Sequence, residues 1–186
     1  GSKVTMPILN NILLETPGDD EVRITATDFE IIMQRSFKAK IAEKGSVTIP
    51  AKKLNDIIRE APENGIKMEA NEKNIVTIKA QKSTFKLMGL PKDDFPAIPK
   101  IEKFEKTFSI KQQLLKEMIE KTIFAVSTDE TRQVLNGVNL DVTKDGFVMV
   151  ATDGHRLSYV KREGKNKEAI GAIIPPKAMF EIHKVL

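Results

Sequence analysis

Asp153, His155 and Ser158 share one short stretch, Ala151-Thr152-Asp153-Gly154-His155-Arg156-Leu157-Ser158, and their types are those of acid–base and nucleophilic chemistry. A triad needs its base within hydrogen-bond reach of the nucleophile. Three side chains strung around a single turn give no warrant for that arrangement. No glycine-rich phosphate loop, no His-Glu-x-x-His helix and no Asp/Asn calcium loop occurs elsewhere. The second histidine, His183, lies 28 residues beyond His155 and makes a poor metal constellation with it. The residues point away from an enzyme and require neither a metal nor a cofactor.

Phe147, Val148, Met149 and Val150 enter the stretch as a strand, and Tyr159 and Val160 resume an extended pattern after it, so Asp153-Gly154 reads as a corner between β segments. One reading of that corner is structural: the Asp153 carboxylate accepts nearby backbone N–H groups and Gly154 takes a positive φ. The pattern recurs. Ala26-Thr27-Asp28 follows the alternating strand Val22-Arg23-Ile24-Thr25, 125 residues before Ala151-Thr152-Asp153. Ile49-Pro50-Ala51-Lys52 precedes Ile174-Pro175-Pro176-Lys177 by 125, and Leu9-Asn10-Asn11 precedes Leu135-Asn136-Gly137 by 126. Three landmarks in one order argue for duplicated domains. The counterpart of His155 is Glu30, so Gly154-His155-Arg156 belongs to the second copy alone, and something other than folding is the reading it invites.

The 186 residues, 40% hydrophobic, suffice for an ordinary core in one or two domains. There is no run of ~18 apolar residues and no secretory apolar region, so the expectation is a soluble, cytoplasmic chain with no membrane partner. The absence of Cys removes disulfides and thiolate metal sites. Lys and Arg number 30 against 26 acidic residues, and a net charge of +4 permits a polyanion partner without demanding one.

Residues 5–43 read as three strands, Pro7–Leu14, Val22–Ala26 and Ile31–Ile41, with the turn cluster Thr16-Pro17-Gly18-Asp19-Asp20 after the first. Val47-Thr48-Ile49-Pro50 is a short strand whose proline opens a helix running to Ala61, where Pro62 stops it. Leu54, Ile57, Ile58 and Ala61 fall on one face of that helix, leaving Lys52, Lys53, Asn55, Asp56 and Arg59 to other directions. Strands return at Ile66–Ala70, Ile75–Ala80 and Thr84–Leu90, followed by a proline-rich connection. A second strand–helix starts at Thr107-Phe108-Ser109-Ile110, with Leu115, Met118 and Ile119 in the places of Leu54, Ile57 and Ile58. A third spans Ala172 to Leu186 with Met179, Ile182 and His183 there, so His183 reads as the edge of a buried helical face. The repeat is a βαβββ unit recurring every 60 to 65 residues. The expected fold class is α+β, helices on one face of antiparallel sheets, with domains at 1–105 and 106–186.

Taken together these motifs resemble one family. Ala151–Ser158, Met6–Leu13, Thr25-Ala26-Thr27-Asp28, Thr48–Lys52, Gly89-Leu90-Pro91 with Asp94-Phe95-Pro96, and Leu135-Asn136-Gly137 are similar, in one order, to the bacterial sliding clamp, the β subunit of DNA polymerase III. The resemblance runs from Lys3 to Leu186 and implies the DNA-clamp fold: a ring whose helices line a central hole and whose sheets form the outer wall. It implies a non-catalytic processivity factor that encircles double-stranded DNA and tethers the polymerase. Lysines on such helices would attract phosphates without reading sequence, in a salt-sensitive and mobile way. The resemblance assigns DNA binding to Lys3, Lys52, Arg132, Gln133 and Lys177. It assigns one side of a client-peptide pocket to Leu135, Thr152, Gly154, His155, Arg156 and Leu157. Its partners are duplex DNA, DNA polymerase and other clamp-binding proteins that dock through short linear peptides, and the clamp loader. The family has three domains, whereas this chain holds an opening set of three strands without its strand–helix and a closing strand–helix without its strands. One molecule's end completing another's beginning would give head-to-tail self-association. The alternative reading is a repeat protein, or a clamp piece, that docks peptides without encircling DNA.

Overall fold

The computed structural model describes residues 6–61, 65–99, 106–129 and 131–186. The chain divides into two compact units, 1–100 and 101–186.

Pro7 opens the first unit with a 3-10 turn, Pro7–Asn10, because its ring fixes φ and leaves no N–H for a ladder. The first strand therefore starts at Asn11 rather than at Pro7. Strands β1 (Asn11–Glu15), β2 (Glu21–Thr27), β3 (Ile32–Lys38) and β4 (Ser46–Pro50) form one antiparallel sheet in the order β3-β2-β1-β4. β3 is shorter than the expected Ile31–Ile41. Helix α1 (Ala51–Arg59) leaves β4 directly, and β5 (Lys67–Ala70), β6 (Ile75–Ala80) and β7 (Ser83–Met88) make a second sheet. One core joins these pieces: Val47 and Ile49 of β4, Leu54 of α1, and Val76, Ile78 and Leu87 of the second sheet. At the end of β7 only glycine fits, since a Cβ on Gly89 would stand 2.5 Å from the Thr48 carbonyl oxygen and 2.7 Å from that of Asn74.

In the second unit the expected strand at Thr107–Ile110 does not form. The first strand after the helix, β8 (Val138–Thr143), already has β9 (Gly146–Thr152) and β11 (Ile170–Ile174) on its two sides, and the sheet runs β10-β9-β8-β11 with β10 at Leu157–Glu163. Phe108 and Ile110 use their alternation for packing instead: both lie against the core, the Phe108 ring 6.0 Å from that of Phe147. Helices α2 (Gln112–Glu120) and α3 (Pro176–Val185) supply Met118, Ile119 and Met179 to that core, against Val138, Leu140, Val142, Phe147, Met149, Ala151 and Val160 of the sheet.

The duplication holds at the level of register. β2 pairs β3 from Glu21↔Lys38 to Thr27↔Ile32, and β9 pairs β10 from Gly146↔Glu163 to Thr152↔Leu157, each partner displaced by the same 125 residues. Helical burial is less uniform. At the place shared by Ile58, Ile119 and His183, Ile119 is buried, His183 is half-buried and Ile58 is 46% exposed, so the apolar face of α1 is narrower than its spacing predicts.

Candidate functional site

The two corners are built by the same hydrogen bonds. In the first copy the Thr27 hydroxyl oxygen accepts the Phe29 N–H (3.1 Å), and Asp28 Oδ1 accepts those of Glu30 (3.1 Å) and Ile31 (3.0 Å). In the second, Thr152 Oγ1 accepts the Gly154 N–H (3.1 Å), and Asp153 Oδ1 accepts those of His155 (2.9 Å) and Arg156 (3.0 Å). The residue after each aspartate is left-handed, Phe29 at φ 75° and Gly154 at φ 89°. The turn that the structural reading anticipates is therefore present twice. Since the first copy makes it with Phe29 and Glu30, His155 and Arg156 are not needed to build it.

At the second corner Arg156 makes further contacts. Arg156 Nε donates to Asp153 Oδ2 at 3.0 Å, and its guanidinium carbon lies 5.7 Å from the centroid of the Phe124 ring. The Arg156 carbonyl accepts the Thr152 hydroxyl at 2.7 Å. The Asp153 carboxyl is lowered to about 2, first by the Arg156 N–H, then by the His155 N–H, with the Arg156 side chain adding to both. It is an anion at any ordinary pH, spent on holding the turn rather than poised to move a proton. Ser158 faces elsewhere: its hydroxyl donates to the Lys121 carbonyl at the end of α2. Asp153, His155 and Ser158 thus form no relay.

Arg132 belongs to the same neighbourhood. Its Nη1 lies 3.2 Å from where a Cβ on Gly154 would stand, while its Nε pairs with Asp129 Oδ2 at 3.4 Å. Asp129 is itself held below the usual carboxylate range, chiefly by the Thr131 hydroxyl. Arg132, assigned to DNA, thus stands beside Gly154 of the corner assigned to peptides. Gln133, exposed, and Leu135, half-buried, occupy the short 3-10 turn Gln133–Leu135 that follows Arg132. The Leu135 N–H donates to the Arg132 carbonyl and the Leu135 carbonyl accepts from Ser127 N–H, which anchors the turn. Leu157 is 65% exposed at the first position of β10. The residue that sequence reasoning missed is Phe124. It lies 32 residues before Arg156 in a 3-10 turn, Ile123–Ala125, and no local spacing links the two.

Lys52 and Lys177 are each the second residue of their helix, α1 and α3, and both are exposed. A lysine in the first turn of a helix stands beside unpaired backbone N–H groups, a setting that suits anionic oxygens. Lys3 lies outside the described residues. Among the described residues no group of three or more His, Cys, Asp or Glu side chains could hold a metal ion, and no helix is long and apolar enough to cross a membrane.

A duplicated α+β unit, its antiparallel strands and helices sharing a core in each copy, with its distinctive residues gathered at one sheet corner, defines a repeat scaffold. The sequence profile of the DNA polymerase III beta subunit, N-terminal domain, matches residues 1–99, and that of the central domain matches residues 109–186. The chain belongs to the DNA polymerase III beta subunit family. It is 35% identical to the beta sliding clamp of Synechocystis over all of its own length and 52% of that relative's. The crystal structure of the DNA polymerase sliding clamp from Bacillus subtilis superposes on the whole chain and on 51% of its own, with a TM-score of 0.91 at 31% identity. A sliding clamp from Bartonella birtlesii bound to griselimycin matches the whole chain and 50% of its own at a TM-score of 0.86 and 35% identity. The chain spans about half the length of the relatives it matches.

Proposed function

We propose that this chain supplies DNA-facing and client-docking surfaces of a DNA sliding clamp, a non-catalytic processivity factor for the replicative polymerase. The observation that carries the reading is family membership over nearly the whole chain, joined to the repeated placement of Lys52 and Lys177 at equivalent helix starts. Lys3, Lys52, Arg132, Gln133 and Lys177 attract the phosphates of double-stranded DNA, by charge alone and without reading bases. Leu135, Thr152, Gly154, His155, Arg156 and Leu157 receive short linear peptides of polymerases and other clients. An exposed aliphatic side chain beside an ordered guanidinium and a glycine-bared backbone offers both apolar contact and hydrogen-bond donors. The domains divide near residue 105, the clamp loader and head-to-tail self-association complete the set of partners, and the work is done on DNA in the cytoplasm.

The test is fluorescence anisotropy with two duplexes of unrelated sequence across a salt series. The expected result is equal affinity for both, falling steeply as salt rises. A strong preference for one duplex, or affinity that salt does not change, would count against it. The second reading, peptide docking without DNA, draws on the restriction of Gly154-His155-Arg156 to one copy. It predicts griselimycin binding with no duplex binding in the same titrations.

A further inference from the structure

Phe124 does not belong to the core of its unit. Its neighbours in the turn do: Ala125 is fully buried in the core, and Thr122, also fully buried, closes α2 by donating its hydroxyl to the Met118 carbonyl at 2.8 Å. Phe124 itself is 55% exposed. What its ring meets is the guanidinium of Arg156, 5.7 Å from its centroid. The same guanidinium is tied to the Asp153 carboxylate at 3.0 Å through Nε. Arginine carries several rotatable bonds, and an exposed one samples many positions unless something on each side limits it. Here a carboxylate fixes one edge of the planar group and an aromatic ring flanks it. The turn holding Phe124 is itself joined to β10, since Ser158 at the second position of that strand donates to the Lys121 carbonyl just before the turn.

We infer that Phe124 is a positioning residue for the docking corner: its ring fixes the Arg156 guanidinium in the orientation in which its remaining N–H groups receive a ligand's carbonyl or carboxylate oxygens. This rests on the docking reading of the corner given above. Phe124 acts through Arg156 and contributes to affinity by limiting the freedom that the arginine would lose on binding.

The experiment is a double-mutant cycle on the full chain, with Phe124→Ala, Phe124→Tyr, Arg156→Ala and the Phe124→Ala/Arg156→Ala pair titrated calorimetrically with griselimycin. Alongside it, the Arg156 Nε–H resonance is followed without ligand. Phe124→Ala is expected to weaken griselimycin about two- to five-fold. Phe124→Tyr, which keeps the aromatic face, is expected to restore the affinity, and Phe124→Ala is expected to add nothing once Arg156 is alanine. An equal loss in both backgrounds, or a tyrosine variant as weak as the alanine, overturns the inference. If Arg156→Ala leaves griselimycin affinity unchanged, the docking reading fails and the inferred contribution to affinity fails with it. The positioning claim is then decided separately by the Nε–H resonance: a shift in Phe124→Ala upholds the ring's hold on Arg156, and an unmoved signal removes that too.

Discussion

Asp153 organises its surroundings with two oxygens: Oδ1 takes two backbone N–H groups and Oδ2 takes the Arg156 side chain. All three bonds favour the ionised form, and the carboxyl is accordingly lowered to about 2, well under the ~3.9 of an unfolded aspartate. A carboxylate depressed in this way contributes its stabilisation fully above the unfolded value and loses it as pH falls through the folded one. The Asp153 side-chain carboxyl carbon resonance should therefore stay at its ionised position from pH 7 down to about 4 and move with a midpoint near 2, as read by NMR titration. In an Asp153→Asn chain that transition should vanish. This residue was legible in the sequence, because an aspartate before glycine at a strand end has few other uses. Phe124 was not, and Arg132, which the resemblance assigned to DNA, was not legible as a neighbour of the corner: only the folded chain carries the two there across 32 and 22 positions from Arg156 and Gly154 respectively.

At the scale of the element, the two corners are a natural comparison of one backbone with two sequences. The first places Phe29 at φ 75° with 60% of its surface exposed, while the second places Gly154 at φ 89°. A left-handed conformation costs a residue with a Cβ roughly 1–2 kcal/mol relative to the right-handed one, and glycine escapes most of that. Phe29→Gly should thus raise stability by about 0.5–1 kcal/mol, and Gly154→Ala should lower it by about 1 kcal/mol, in paired urea melts. Hydrophobic periodicity located the strands around both corners, and Pro50 and Pro175 marked the helix starts. It failed at Thr107–Ile110, where the alternation of Phe108 and Ile110 serves packing against Phe147 and not pairing. Alternation reports that one side of a segment is buried, whatever buries it. It also overstated α1, because Ile58 has the spacing of a core residue but is left 46% exposed.

For the whole molecule, duplication was the most legible property, and it was legible because register and sequence offset move together: a 125-residue displacement of side chains is a 125-residue displacement of strand pairs. Less legible is which apolar groups the fold leaves bare. β3 is exposed along its length, with Ile32, Met33 and Phe37 each more than two-fifths exposed, and α3 leaves Phe180 and Val185 uncovered. Apolar groups so placed favour association. Light scattering behind size exclusion should show a discrete oligomer at high concentration, and a monomer there would rule out the head-to-tail proposal.

The central claim is that lysines at equivalent helix starts hold duplex DNA by charge. The most direct measurement is the salt dependence of duplex binding for the native chain beside a Lys52→Glu/Lys177→Glu chain. If both lysines meet phosphates, the variant binds more weakly at every salt concentration, and the slope of log affinity against log salt shrinks by about 2. Equal affinity and an unchanged slope would contradict the claim and leave the corner, with its peptides, as the working surface of this chain.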